Sequence, residues 1–175
     1  MQTKAQTYRR NFFVLILEGA FFMGALGFFS ANTVVPVFID HMTGSKVLVG
    51  VTISVGSFLT YLGRILVGPF MDHLKHHARF VTIIMSLTRP VTLLPGIFLL
   101  LGWREPALGA LMAAYWFMWL ADGLVVPGWS EVLATTVDEH RHGRLLGAQQ
   151  LLGGFLSIGA GVLINRLLSG SADKL

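Results

Sequence analysis

The chain has 175 residues, 54% hydrophobic and 13% charged, with a formal net charge of +4 and a mean hydropathy of +0.67. So apolar and thinly charged a composition lies outside the range of ordinary soluble domains, and no connection between apolar runs is long enough to hold one. The basic residues are dispersed between those runs, which argues against a nucleic-acid partner, and the absence of cysteine excludes disulfides and thiolate metal sites.

Apolar stretches near 12–35, 47–68, 80–101, 107–130 and 145–168 each reach the ~20 residues a helix needs to cross a ~30 Å hydrocarbon core. They are continuous rather than alternating, which disfavours a membrane β-barrel. With no linker, low-complexity tract or tandem repeat, the expectation is one all-α membrane unit over 1–175 with five transmembrane helices. The first run continues through Phe28, Phe29 and Val34 without a convincing cleavage site, and reads as a retained span rather than a signal peptide.

Short polar turns join the runs. The first is Asp40 to Lys46, with Gly44 and Ser45 as breakers. The second is Gly68-Pro69-Phe70-Met71-Asp72-His73-Leu74-Lys75-His76-His77-Ala78-Arg79. The third is Trp103-Arg104-Glu105-Pro106, whose tryptophan suits a membrane interface, and the fourth runs from Val137 to Arg144. Lys4, Arg9, Arg10, Lys75, Arg79, Arg141 and Arg144 fall on one side of this alternation, and Lys46, Arg104, Arg166 and Lys174 on the other. That bias predicts a cytoplasmic N-terminus and an external C-terminus.

Glu18, Arg64, Arg89 and Asp122 fall inside expected spans, where isolated charges are costly and should face protein or water. Counted at ~1.5 Å per residue from the cytoplasmic ends, Arg89 and Asp122 share a depth of about 13–15 Å, and Glu18 and Arg64 one of about 7–9 Å. Pairing of Arg89 with Asp122 and of Glu18 with Arg64 is the structural reading; proton or substrate coupling through Glu18 and Asp122 is the functional one. Arg64 has a third option, snorkelling to the headgroups. Pro90, Pro95 and Pro127 are expected to interrupt their spans. Trp116, Trp119 and Trp129 read either as a binding wall or as lipid-facing and interfacial rings. In the last span, Gly143 and Gly147 form one small-residue stripe and Gly153, Ser157 and Gly161 another, a pattern that allows close helix packing in lipid.

Glycine followed four residues later by aspartate and then by basic side chains, as in Gly68, Asp72, His73, Lys75, His76, His77 and Arg79, resembles the signature between the second and third helices of major facilitator superfamily transporters. A second stretch, with Gly123, Pro127 and Trp129 followed by Arg141, Gly143 and Arg144, resembles their fourth helix and the turn after it. Asn11-Phe12-Phe13 to Pro36 is similar to a first helix of the group. Departures are specific: Lys75 stands where the loop signature has glycine, histidines replace several of its basic residues, and His142 replaces the first arginine of an Arg-Gly-Arg ending. Histidine makes the charge of these turns dependent on pH, since its unperturbed pKa is ~6.5.

The resemblance implies the first five helices of a twelve-span secondary transporter, one that carries a small solute across a bacterial inner membrane by alternating access between two halves. It also implies a gating role for the Gly68 to Arg79 loop, with Asp72 capping the turn and Gly68 permitting close helix approach. No catalytic residues, metal or cofactor are expected. The partners expected are the lipid bilayer, an unspecified solute, and a second half or another copy of the chain. The alternative is a non-transporting membrane subunit or truncated product packed against another membrane protein. His73, His76 and His77 also have the spacing of one histidine box of membrane di-iron enzymes, but those use several boxes, and this chain has six histidines in all and no second box.

Overall fold

The computed structural model describes residues 4–71 and 73–172, and all regular structure among them is helical. In chain order the helices are α1 (Lys4–Leu26), α2 (Val34–Thr43), α3 (Lys46–Met71), α4 (His77–Thr88), a 3₁₀ segment (Arg89–Leu93), α5 (Leu94–Leu100), α6 (Arg104–Thr136) and α7 (Glu139–Ala172). Four stretches are long and apolar enough to cross a membrane: Lys46–Met71, His77–Leu100, Arg104–Thr136 and Glu139–Leu163.

The expected first span, 12–35, is broken. From Gly27 onward the backbone tightens into i→i−3 bonds, Gly27 to Gly24, Phe28 to Ala25 and Phe29 to Leu26. The Asn32 N–H then turns to the Ser30 hydroxyl at 3.3 Å. Gly24, Gly27, Ser30, Asn32 and Thr33 supply flexibility and competing side-chain acceptors where a helix interior needs neither. The chain restarts as α2 with Pro36 in its first turn, where a missing N–H costs nothing. The part of α1 that follows its basic residues, from Asn11 to Leu26, is thus only about 24 Å long at 1.5 Å per residue.

Of the prolines, Pro90 and Pro95 do what the sequence predicts. The third span is α4 and α5 joined by the 3₁₀ segment, with the Thr92 hydroxyl donating to the Arg89 carbonyl at 2.7 Å. Pro127 does not end its helix: α6 runs straight through it, as α3 runs through Pro69. The polar turn expected from Val137 to Arg144 shrinks to two residues, because α7 already begins at Glu139.

Helix ends account for the other connections. At Gly102, in the left-handed region at φ 77°, a Schellman arrangement closes α5. Gly102 N–H bonds the Leu99 carbonyl, Trp103 N–H bonds that of Phe98 at 2.9 Å, and the Phe98 and Trp103 rings stack with centroids 5.9 Å apart. α2 ends similarly on Gly44 (φ 64°), whose N–H bonds the Asp40 carbonyl at 2.7 Å. Across that turn Lys46 Nζ lies 2.9 Å from Asp40 Oδ2, an exposed ion pair worth under ~1 kcal/mol.

The chain divides into two compact units, Met1–Val34 with Ala134–Leu175, and Val35–Leu133. In the second unit the buried face of α3 is Thr52, Gly56, Thr60, Gly63, Val67 and Met71. Its outward face carries Phe58, Tyr61, Ile65, Leu66 and Phe70, with Ile65 71% exposed. Small and hydroxylated residues are inside and large apolar ones outside. That inverts the order of a water-soluble protein and suits a solvent of acyl chains, where association depends on close packing rather than on apolar burial.

Candidate functional site

The densest constellation of chemistry-bearing residues lies on the α3–α6 seam. The Trp116 indole N–H donates to the Thr52 carbonyl at 3.0 Å. The Thr60 hydroxyl lies 3.2 Å from both the Gly56 and Trp119 carbonyls. A Cβ added at Gly56 would lie 2.5 Å from Tyr115 Cε1, and one at Gly63 2.6 Å from the Leu120 carbonyl oxygen. A Cβ at Gly123 would strike the Thr60 backbone. Contacts advance in the same direction on both helices, from Thr52 with Trp116 to Gly63 with Leu124, so α3 and α6 run parallel. Tyr115 and Trp119 meet edge to face, centroids 6.0 Å apart. Trp116 is therefore an interhelical clamp and not part of a free aromatic wall.

Asp122, one residue before the Gly123 crossing, is half-buried, and the cation whose charge reaches it is Arg64 of α3. The sequence expectation pairs Asp122 with Arg89 instead. Arg89 opens the 3₁₀ segment and donates to the Met85 sulfur at 3.3 Å. The Arg64 guanidinium is exposed and sits over the Tyr61 ring, 5.8 Å from its centroid, a favourable cation–π arrangement. Arg64 and Asp122 are thus the candidate acid–base couple beside the Gly123 crossing. Arg64→Gln and Asp122→Asn are each expected to lower thermal stability in detergent, with the double variant milder than the sum by on the order of 1 kcal/mol. Strict additivity would remove the couple.

The first motif turn is only partly as expected. Asp72 and Lys174 lie outside the described residues. Gly68 is exposed, and nothing lies within 4 Å of where its Cβ would be. Close helix approach is therefore made at Gly56, Gly63 and Gly123 rather than at Gly68. His77 is drawn inward: its Nε2 lies 3.2 Å from the Met71 carbonyl, and a carbonyl only accepts, so the ring donates and caps the end of α3. His73, Lys75, His76 and Arg79 are exposed. Among the described residues no group of three or more His, Asp or Glu side chains is placed to hold a metal ion.

In the second motif, Pro127 and Trp129 are half-buried on α6, and a Cβ on the adjacent Gly128 would touch Val81 of α4 at 3.2 Å. The turn repeats the histidine device, with His142 Nε2 2.9 Å from the Val137 carbonyl just past the end of α6. Arg141 and Arg144 are exposed, and Gly143 has open space around it.

In the first unit Glu18 is half-buried on α1, which packs along α7. Gln149 Nε2 donates to the Leu15 carbonyl at 2.7 Å and the Ser157 hydroxyl to that of Met23 at 3.1 Å, both at a sequence offset of 134. A constant offset means that α1 and α7 are also parallel. Of the expected stripes, Gly153 and Ser157 face α1, while a Cβ at Gly143, Gly147 or Gly161 would lie in open space among the described residues. Gln149 and Thr60 are the residues that sequence reasoning passes over. The available signal was an uncharged polar side chain inside an apolar run, which in lipid seeks a partner on a neighbouring helix. No family model, curated protein or solved structure matches this chain.

Proposed function

We propose that this chain is the N-terminal part of a secondary active transporter of the major facilitator type, moving a small solute across a bacterial inner membrane by alternating access. The observation that carries the reading is a half-buried carboxyl, Asp122, with Arg64 as its candidate partner, at a glycine-mediated crossing between two candidate spans. Ionisable groups kept at membrane depth despite their cost mark solute and proton paths more often than they serve stability.

The parallel pairs support five crossings rather than four. Helices joined by short turns alternate direction, so parallel neighbours are an even number of crossings apart. α3 and α6 meet this with the α4–α5 span between them. α1 and α7 meet it when α1 with α2 counts as a crossing. On this topology His76 is expected to be cytoplasmic, and so is the 137–138 turn, while Gly44 and Arg104 are external. Single cysteines at positions 76 and 44 test it: an impermeant reagent applied to intact cells should label 44 and spare 76, and the reverse pattern sinks the topology.

A second reading, a non-transporting subunit, draws on the open glycines Gly143, Gly147, Gly154, Gly159 and Gly161 of α7, whose bare backbone suits another membrane helix. Proteoliposomes separate the two. Chain purified with whatever membrane protein it retains should give saturable, gradient-driven flux of a labelled solute, abolished by Asp122→Asn. The chain alone at very low protein-to-lipid ratio should give none. A retained partner and no flux in either gradient direction would favour the subunit.

A further inference from the structure

The parallel register of α1 and α7 gathers one strongly basic end. At the offset of 134 set by Leu15 with Gln149 and by Met23 with Ser157, Arg10 of α1 is level with Arg144 of α7. One turn nearer the helix starts, the Arg141 guanidinium lies 5.4 Å from the Tyr8 ring centroid, and Tyr8 in turn stacks on Phe12 at 6.4 Å. Arg9, Arg10, His140, Arg141 and Arg144 are all exposed. Asp138 and Glu139 share this end and are exposed too, but among the described residues no carboxylate lies within ion-pair distance of any of the four arginines. Residues some 130 positions apart in sequence thus present guanidinium groups without carboxylate partners at one end of the α1–α7 pair, one of them held in place by an aromatic ring.

What lies beside them selects the ligand. One turn further along α1, Phe13 (61% exposed) and Val14 are exposed, as is Leu146 two residues past Arg144 on α7. A ligand on the arginines therefore has apolar surface immediately next to its charged part. A soluble anion gains nothing from that surface, whereas an amphiphile places an acyl chain along it. Guanidinium forks match phosphate oxygens bidentately, and basic groups at a membrane surface attract anionic headgroups.

We infer that the paired starts of α1 and α7 form a binding site for the phosphate headgroup of an anionic phospholipid, held by Arg9, Arg10, Arg141 and Arg144. The inference rests on the membrane reading of the chain and is independent of transport. The site orients the α1–α7 pair at one membrane face and ties its two helices together through a shared headgroup.

Native mass spectrometry of the detergent-purified chain tests it, with phosphatidylglycerol and phosphatidylcholine supplied at equal concentration. Wild type is expected to retain phosphatidylglycerol preferentially. R9Q/R10Q and R141Q/R144Q should each weaken retention, by roughly fivefold per arginine removed, while R9K/R10K keeps most of it. K46Q/R104Q removes equal charge from the Val35–Leu133 unit and should leave it unchanged. Because each arginine pair is removed with the other intact, the test does not depend on a quadruple variant folding. Equal retention of the two lipids overturns the site. So does an equal loss in K46Q/R104Q, which would reduce the effect to net charge. Binding of glycerol phosphate as tight as that of the lipid would assign the surface to a soluble phosphate and overturn the lipid proposal.

Discussion

Gly123→Ala is expected to be the most damaging glycine substitution in the Val35–Leu133 unit, costing about 3 kcal/mol or more. A single methyl group there is driven into the carbonyl and Cα of Thr60. Those are backbone atoms and cannot swing aside, so α3 and α6 must separate. Separation stretches the bonds from Thr60 to the Trp119 carbonyl and from Trp116 to the Thr52 carbonyl, which start at 3.2 and 3.0 Å. In lipid no water replaces them. Gly63→Ala should behave alike, its Cβ meeting the Leu120 carbonyl oxygen at 2.6 Å.

The control is internal. Gly143→Ala and Gly147→Ala place a methyl in open space on α7 and should be neutral or stabilising by up to ~1 kcal/mol, the helix-propensity gain of alanine over glycine. Thermal unfolding in detergent reads both signs. A Gly123→Ala variant as stable as Gly143→Ala would mean that the two helices do not approach as described. Because Asp122 is the neighbouring residue, flux in proteoliposomes should fall with the same substitution on the proposed reading, even in the fraction that stays folded.

Much of the architecture was legible from hydropathy alone, since length and apolar continuity report on the solvent rather than on tertiary detail. That is why the last four expected spans have counterparts in α3, the α4–α5 pair, α6 and α7. The first is not one continuous helix: Phe28, Phe29 and Val34 keep the hydropathy high through a segment whose local chemistry is that of a turn. Pro127 misled in the opposite sense. In lipid, unwinding at a proline would leave still more backbone groups without a partner, so the helix continues through it. Partner identity was the least legible. Depth along a helix is readable from residue counts, which led to Arg89, but the direction a charge faces depends on helix rotation, which counts do not give; the charge that acts on Asp122 from α3 is that of Arg64. The stripes on α7 show the same limit: spacing identifies Gly143, Gly147, Gly153, Ser157 and Gly161 as small faces without saying which is covered.

Gly19 and Gln149 should prove mutually dependent. Gln149 is 3% exposed, its side chain fills the space over Gly19, and its amide reaches the Leu15 carbonyl at 2.7 Å. Gly19→Ala is expected to cost about 1–2 kcal/mol, because the glutamine must withdraw from the new methyl and leave its donor unpaired in a dry seam. Gln149→Ala should cost a similar amount through the lost bond and the space left behind. The double variant, however, puts the Gly19 methyl into the volume that the glutamine vacates and leaves no donor orphaned. Its loss should fall short of the sum by at least ~1 kcal/mol, and part of what remains is offset by the better helix propensity of alanine. A double-mutant cycle on thermal stability in detergent measures this coupling. Additive losses would mean that Gln149 does not occupy the groove at Gly19, and the parallel register that places α1 beside α7, with the arginine cluster built on it, would fail with it.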